Sequence, residues 1–533
     1  MTIGNSYGVF VFVKVHWILI SSLLLFFALL LRWPTVPFID SAPLDANFPL
    51  HALAAKALSE GSWTTLPYLQ WPEGAPVRYI AWPILLLAIP FTYFLSAIAS
   101  MNISVFLWIW LQGLGGYWIG TKLDLSIKAS LFLALGCMFA PTQIIAMGNG
   151  QYENMALFPL CWFYSSLRKK QSCFLPFALC LFSSPYQAVA SLLAIPICID
   201  FKKITRAVYI RTFEISLLLV AGYLYYKAVS QGAVHESVTP APSVLSEKAL
   251  PSALFLPVNI AESGGVPLSG PFQRIAQLTK LPVSAEYNHR WPWVVSTAGS
   301  YIGWTFWLGA LCTFFSKSQN KKLLYWAGLC LTCALGATLG ETSIPLPWSL
   351  SEYIPGLMHM QATSRFLSGL TAALVLYIAL NQKKFIVWLL PLIVFEGLLI
   401  SPAHWPIPAR APIKASNIDS INKPIAFWPA APVIASHKVT MTALMLEQPL
   451  ALFHEKNISM PDAKGIVQYS TTRTDHQGRS PNQWKNDLCS KGLQDLIQFR
   501  DIVGDNGQPF FYGVQTMNQN CKESFCRWTL CSD

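Results

Sequence analysis

The sequence is short of charge. Asp, Glu, Lys and Arg make up 12% of its 533 residues, against about 25% in soluble domains. With 53% hydrophobic residues and a mean hydropathy of +0.42, that shortage excludes an ordinary soluble globule. A large soluble core is not the explanation, because the apolar residues come in blocks of about 15–23, close to the ~20 needed to cross ~30 Å of hydrocarbon. A cleavable-signal pattern is lacking too. Met1 to Lys14 has no signal pattern, and Val9–Leu31 is too long for a signal core and has no small-residue cleavage site. We read that run as a retained first spanning helix. There is no convincing internal repeat, which argues against the commoner transporter folds. The net charge of +11 sits in short clusters between apolar blocks. This is the mark of cytoplasmic loops under the positive-inside rule, and nothing else points to nucleic acid.

What the sequence does have is twelve apolar segments. They run near Val9–Leu31, Tyr79–Ala99, Ile103–Gly120, Ala129–Met147, Tyr152–Leu167, Ser172–Ser183, Tyr186–Asp200, Arg211–Ser230, Val295–Phe315, Leu323–Gly340, Phe366–Leu380 and Phe385–Ile400. If all cross from a cytoplasmic N-terminus, Lys122, Lys128 and Arg168-Lys169-Lys170 fall outside. Demoting one early segment brings every basic cluster inside. Tyr79–Ala99 is the natural choice. It carries Pro83 and Pro90, which break helical hydrogen bonding, and aromatics suited to an interface. Only Ser100, Met101 and Asn102 separate it from the next block. The expectation is a mainly α, polytopic bundle of about eleven spans (nine to twelve) over residues 1–401. The outer face receives the first loop (32–102 with the demoted segment), the long loop 231–294, the loop Glu341–Arg365 and the tail 402–533.

The tail is long enough for one small soluble α/β domain. Ile425–Phe427 and Val433–Ile434 are strand-like, Leu493–Val503 reads as a helix or a helix followed by a strand, and Phe510–Thr516 alternates like a strand. Eight of twelve cysteines lie in apolar segments, where Cys acts as a small buried hydrophobe. The other four are Cys489, Cys521, Cys526 and Cys531. An even number in an extracytoplasmic tail favours one or two disulfides over a zinc site. No His lies within the compact 521–531 stretch, and pairing is not readable.

Candidate chemistry gathers on the outer side. In the first loop, Asp40 and Asp45 precede a helix-like run, with His51 near its start. A carboxylate there can act as a general base or simply cap the helix. In the turn Gly148 to Asn154, Gln151 and Glu153 open an apolar segment. An acid there is costly unless solvated or paired, though it also suits a helix N-terminus. Tyr186 sits in the turn Ser183–Gln187. Arg365 opens a spanning segment from the outside, as a phosphate ligand would, or it snorkels. His289 and Arg290 stand beside Trp291-Pro292-Trp293 in the long loop.

This arrangement resembles the GT-C superfamily of membrane glycosyltransferases, in its bacterial multi-spanning branch. The family places a catalytic acid in the first outer loop, with a Gly and often a Trp about sixteen residues later. Here Asp45 is followed by Gly61 and Trp63, so Asp45 fits better than Asp40. A "YPEG"-like turn is matched by Trp71-Pro72-Glu73-Gly74, a Gly-rich turn by Gly148 to Asn154, a "SPYY"-like turn by Ser184-Pro185-Tyr186-Gln187, a "SRF" helix start by Ser364-Arg365-Phe366, and an "xLP" strand by Phe427-Trp428-Pro429. The chain departs at Asp45-Ala46, where many relatives carry a second acid, so use of a divalent cation stays open and no other cofactor is implied.

The resemblance implies inverting, hexosyl-type transfer from a polyprenyl-phosphate-linked sugar to a glycan, lipid or protein acceptor. Asp45 would be the base, and Glu153 and Arg365 would shape the donor phosphate pocket. It implies a bacterial inner (plasma) membrane location with the tail extracytoplasmic. The rival readings are a transporter or flippase of a lipid-linked substrate and a non-catalytic membrane scaffold.

Overall fold

The computed structural model describes residues 47–63, 65–66, 75–76, 81–148, 150–198, 206–230, 300–315, 320–337, 344–354, 362–381, 384–400, 425–428, 495–499, 519–521 and 525–529, with single positions between them. The first element whose bounds are described is α1 (Asn47–Ser59), followed by the two-residue strands β1 (Thr65–Leu66) and β2 (Ala75–Pro76), which pair antiparallel. Next comes α2 (Trp82–Thr92), the segment expected to be demoted. It has 11 residues, about 16 Å at 1.5 Å per residue, too short to cross by itself. Pro83 sits in its first turn, where no hydrogen bond is lost.

The expected linker Ser100-Met101-Asn102 is instead part of α3 (Ala97–Lys122). Ser96 caps that helix by accepting from the Ala99 amide at 3.3 Å, which starts the helix six residues before Ile103. Ser100 and Ser104 then turn their hydroxyls back onto the carbonyls one turn earlier, both at 2.8 Å. A polar triplet is thereby absorbed without unpaired hydroxyls.

The 122–128 turn leads to α4 (Ile127–Phe139), capped by Ser126, and α5 (Pro141–Gly148). Pro141 breaks the helix between them. α3 and α4 pack closely through small residues. A Cβ on Gly116 would lie 2.8 Å from the Leu133 carbonyl oxygen, and one on Gly120 2.7 Å from Ser130 Cα. That is the small-xxx-small contact of membrane helices.

Then come α6 (Leu157–Arg168), α7 (Phe174–Ser183), α8 (Pro185–Leu192), α9 (Ile195–Cys198), α10 (Arg206–Ser230), α11 (Trp304–Phe315), α12 (Lys322–Ala334), α13 (Leu367–Asn381) and α14 (Ile386–Phe395). Among the described residues, 4 helical stretches are long and apolar enough to cross a membrane: Ala97–Lys122, Ile127–Met147, Val208–Tyr225 and Thr363–Asn381. Six shorter apolar helices join them. The chain is a membrane protein of mostly helical build.

The helices align their basic turns at one end. Lys169 pairs with Asp124 at 2.6 Å, Arg168 donates to Asn320 Oδ1 at 3.3 Å, and Arg211 donates to the Leu167 carbonyl at 3.3 Å. The turns after α3 and α6, the start of α10 and the start of α12 therefore meet. The far end of α6 begins at the Tyr152–Asn154 turn, beside Arg365.

In the tail, β3 (Ile425–Trp428), β4 (Asp495–Phe499), β5 (Gln519–Cys521) and β6 (Phe525–Thr529) form one sheet in the order β3-β4-β6-β5. β3 and β4 are parallel, and the other pairs are antiparallel. The β3 strand matches the expected Ile425–Phe427 run. Leu493–Val503, expected to begin as a helix, contains a strand because β6 pairs with it on one side and β3 on the other. The Val433–Ile434 and Phe510–Thr516 runs lie outside the described residues. Cys489 is disulfide-bonded, and the eight cysteines of the apolar segments are free. Cys521 faces Cys526 across the β5–β6 ladder. Cys531 lies outside the described residues.

Candidate functional site

The site starts from a helix end. α5 closes with paired bonds, Gln151 N to the Ala146 carbonyl at 2.8 Å and Gly150 N to the Met147 carbonyl at 3.1 Å. This is the Schellman pattern, which needs a left-handed residue after the helix. Gly150 supplies it at φ 62°. The chain then makes one 3-10 turn, Tyr152–Asn154. α3 anchors the start of α6 just beyond it: Trp108 donates to the Met155 carbonyl at 2.6 Å, and Gln112 Oε1 accepts from the Phe158 amide at 2.7 Å. Gln112 is thus a remote cap for α6.

Glu153 is held in that turn, with only 2% of its side chain exposed, and meets the Arg365 guanidinium at 3.0 Å. Burying either charge alone would cost several kcal/mol, and the pair offsets that only while both partners stay. Arg365 lies in a second 3-10 turn, Thr363–Phe366, which runs straight into α13. Its guanidinium sits 5.4 Å from the Tyr186 ring centre, a cation–π distance. The Tyr186 hydroxyl accepts the Ala362 amide at 2.6 Å. Tyr186 therefore braces the Arg365 turn from both its ring and its hydroxyl.

Asn154 joins the surrounding elements. Its carbonyl accepts from Gln143 Nε2 and from Ser368 Oγ, both at 3.1 Å. Its side chain donates to Gln151 Oε1 at 3.4 Å and accepts from Gln187 Nε2 at 3.5 Å, and Gln187 also reaches the Arg365 carbonyl at 3.4 Å. Gln143, Gln187, Asn154 and Ser368 are all buried. Buried polar groups in a membrane bundle persist where they are mutually bonded.

Beside this network opens a small cleft, with about 20 Å³ of space for water-sized groups, lined by Thr142, Ile145, Ala146, Gln151, Asn154, Ser364, Arg365, Leu367 and Ser368. Arg365, at 19% side-chain exposure, is the only charged residue in that lining among the described residues. A partly neutralised guanidinium among hydroxyls and amides suits a singly or doubly charged anion.

The expected site residues fall into three groups. Glu153, Gln151, Tyr186 and Arg365 converge. His51 is buried in α1, its ring meeting Tyr152 edge-on at 5.3 Å. The helix of the first loop is thereby pinned next to the Glu153 turn. Asp40, Asp45, His289 and Arg290 lie outside the described residues, as does Trp71-Pro72-Glu73-Gly74. Gln143 and Ser368 join this network without standing in any of the matched turns, whereas Asn154 and Gln187 each close one of them. The available signal is amide side chains within apolar runs. Among the described residues, no cluster of three or more His, Cys, Asp or Glu could hold a metal ion.

A solved structure shares the fold of this helical bundle, which has its basic turns at one end and a braced ion pair at the other. In particular, the chain is similar to the arabinofuranosyltransferase AftD from mycobacteria. The TM-score is 0.52 at 12% identity over 98% of this chain, which spans 40% of the AftD chain. Two further similar structures are the apo oligosaccharyltransferase of Archaeoglobus fulgidus and ArnT of Cupriavidus metallidurans bound to undecaprenyl phosphate. The first has TM-score 0.41 at 9% identity, covering 91% of this chain and 69% of that one. The second has TM-score 0.42 at 12% identity, covering 99% of each. At such identities the likeness to AftD is one of fold. No family model matches the sequence, and no curated protein does.

Proposed function

We propose that this chain is an inverting membrane glycosyltransferase of hexosyl type that moves a sugar from a polyprenyl-phosphate donor to an acceptor hydroxyl. One observation carries the reading. A buried carboxylate–guanidinium pair stands at the edge of a polar cleft, and the helix following Asp45 is pinned to the same turn through His51 and Tyr152. The fold shared with AftD supports it.

In this reading Asp45 takes the proton of the acceptor hydroxyl as its oxygen attacks the anomeric carbon. The bond from that carbon to the phosphate oxygen breaks on the opposite side, so the centre inverts. The departing lipid phosphate gains negative charge, and Arg365 meets it. Such preorganised charge is worth most in a water-poor site. Glu153 holds the guanidinium in place and keeps the empty cleft close to neutral. Asn154, Gln187 and Tyr186 position the two turns. Asp40, His289 and Arg290 remain candidates for contacts to donor or acceptor.

The accompanying topology has about eleven crossings within residues 1–401, the basic end in the cytoplasm of a bacterial inner membrane, and residues 402–533 as an extracytoplasmic α/β domain. A reporter fused after Asp533 should read as extracytoplasmic; a cytoplasmic signal would overturn this arrangement. The enzymatic test uses the full chain in proteoliposomes with a polyprenyl-phosphate sugar. Asp45→Asn should lower transfer by roughly 100- to 10,000-fold, the range typical of a lost general base, while membrane insertion is retained. A variant that keeps full activity sinks the assignment.

A further inference from the structure

The basic end does more than mark one side of the membrane. Three turns from separate parts of the chain meet there: 121–128, 168–172 and 320–322. They are tied by Lys169 to Asp124 at 2.6 Å and by Arg168 to Asn320 at 3.3 Å. Lys122, Lys128, Arg168, Lys169, Lys170, Lys321 and Lys322 are all exposed in these turns, and Asp124 is the one exposed acid among them. Asp124 offsets one cation, and Glu214, which accepts from Ser172 Oγ and the Cys173 amide at 2.8 Å, offsets another, which still leaves a surplus of positive charge. The ends of α3 and α6, where carbonyls carry partial negative charge, account for part of it. Lys128 and Lys322 lie in first turns of helices, where a cation is unfavourable, so helix dipoles do not explain their placement.

Two cations are also held at a defined level. The Lys122 ammonium sits 4.8 Å from the Trp118 ring centre, and Lys321 sits 5.6 Å from that of Phe314. Trp118 is itself partly exposed and meets Trp162 edge-on at 5.2 Å. Tryptophan side chains of this kind lie at the headgroup level. The cations just beyond them are therefore at the depth of lipid phosphates.

We propose that the surface formed by the turns 121–128, 168–172 and 320–322 is a binding site for anionic phospholipid headgroups of the leaflet it faces. Several ammonium groups are shared between neighbouring phosphodiesters, and Trp118 packs against the upper acyl chains. This site lies at the opposite end of α6 from the cleft and does not depend on the proposed transfer reaction.

The test compares the full chain in nanodiscs of phosphatidylcholine alone with nanodiscs containing phosphatidylglycerol. Native mass spectrometry counts retained lipids, and thermal unfolding gives Tm. The wild type should retain phosphatidylglycerol selectively and gain Tm from it. The triple variant Lys122→Gln, Lys169→Gln, Lys170→Gln should lose about fivefold in affinity per cation removed, the factor that ~1 kcal/mol per cation at a membrane surface gives. The matching Lys→Arg triple should behave as wild type. Equal retention of the two lipids by the wild type would overturn the proposal. So would an unchanged Gln triple, or an Arg triple as defective as the Gln one. Inorganic phosphate that raises Tm as much as the lipid would show a soluble-anion site instead, and would also overturn it.

Discussion

The two ends of α6 handle charge in opposite ways. At its start, Glu153 is withdrawn from water, Arg365 is largely covered, and the two are braced by Tyr186, Gln187 and Asn154. At its end, Lys169 and Asp124 meet at 2.6 Å, but with side-chain exposures of 36% and 80%. The distances are similar and the energetics are not. An exposed pair is screened and contributes up to about 1 kcal/mol. A buried pair contributes little as a pair, but losing one partner is severe. A protein keeps a charge buried in a membrane bundle where the charge has work to do, and so the first end, not the second, is where chemistry is expected.

The sharpest way to break this comparison is Arg365→Gln, which strands the Glu153 carboxylate. Unfolding free energy in detergent should fall by about 3–5 kcal/mol. Adding Glu153→Gln should recover most of that loss, while a double variant as unstable as the single would show that the pair was never buried as described.

A second carboxylate gives the next effect. Glu396 accepts from the Tyr301 hydroxyl at 2.6 Å and from the Trp304 and Thr305 amides at 2.5 and 2.9 Å, and so caps α11. Glu396→Ala should cost roughly 2–3 kcal/mol, the scale of hydrogen bonds to a charged group, and leave transfer per folded molecule unchanged. A selective loss of transfer would place Glu396 in the reactive machinery. Smaller again is Ser368→Ala, which removes one bond to the Asn154 carbonyl. It should lower stability by about 1 kcal/mol. Lys169→Ala at the exposed end should change unfolding by less than about 1 kcal/mol, and a larger change would erase the contrast between the two ends.

Much of this contrast is legible in the sequence. The basic clusters place the turns after α3 and α6 together, and Glu153 and Arg365 stand out because each opens an apolar run. Local pattern carries no information on partners. Asn154 and Ser368 are 214 positions apart, and neither residue type announces the bond. Polarity alone makes the Ser100–Asn102 triplet look like a break, whereas a serine cap seven residues before Ile103 and back-bonded hydroxyls let the helix run through it. In the tail, β5 and β6 escape notice when their cysteines are weighed for spacing alone. Phe525–Thr529 becomes a strand by lying between β4 and β5, which no single run of residues specifies.

The most direct test of the central claim is sugar transfer from a polyprenyl-phosphate donor by the Glu153→Gln/Arg365→Gln double variant, measured beside the wild type in the same proteoliposomes. The double variant should be folded and inserted, yet unable to transfer or to hold the donor phosphate. Transfer at the wild-type rate would mean that the cleft beside Arg365 is not where the donor phosphate binds.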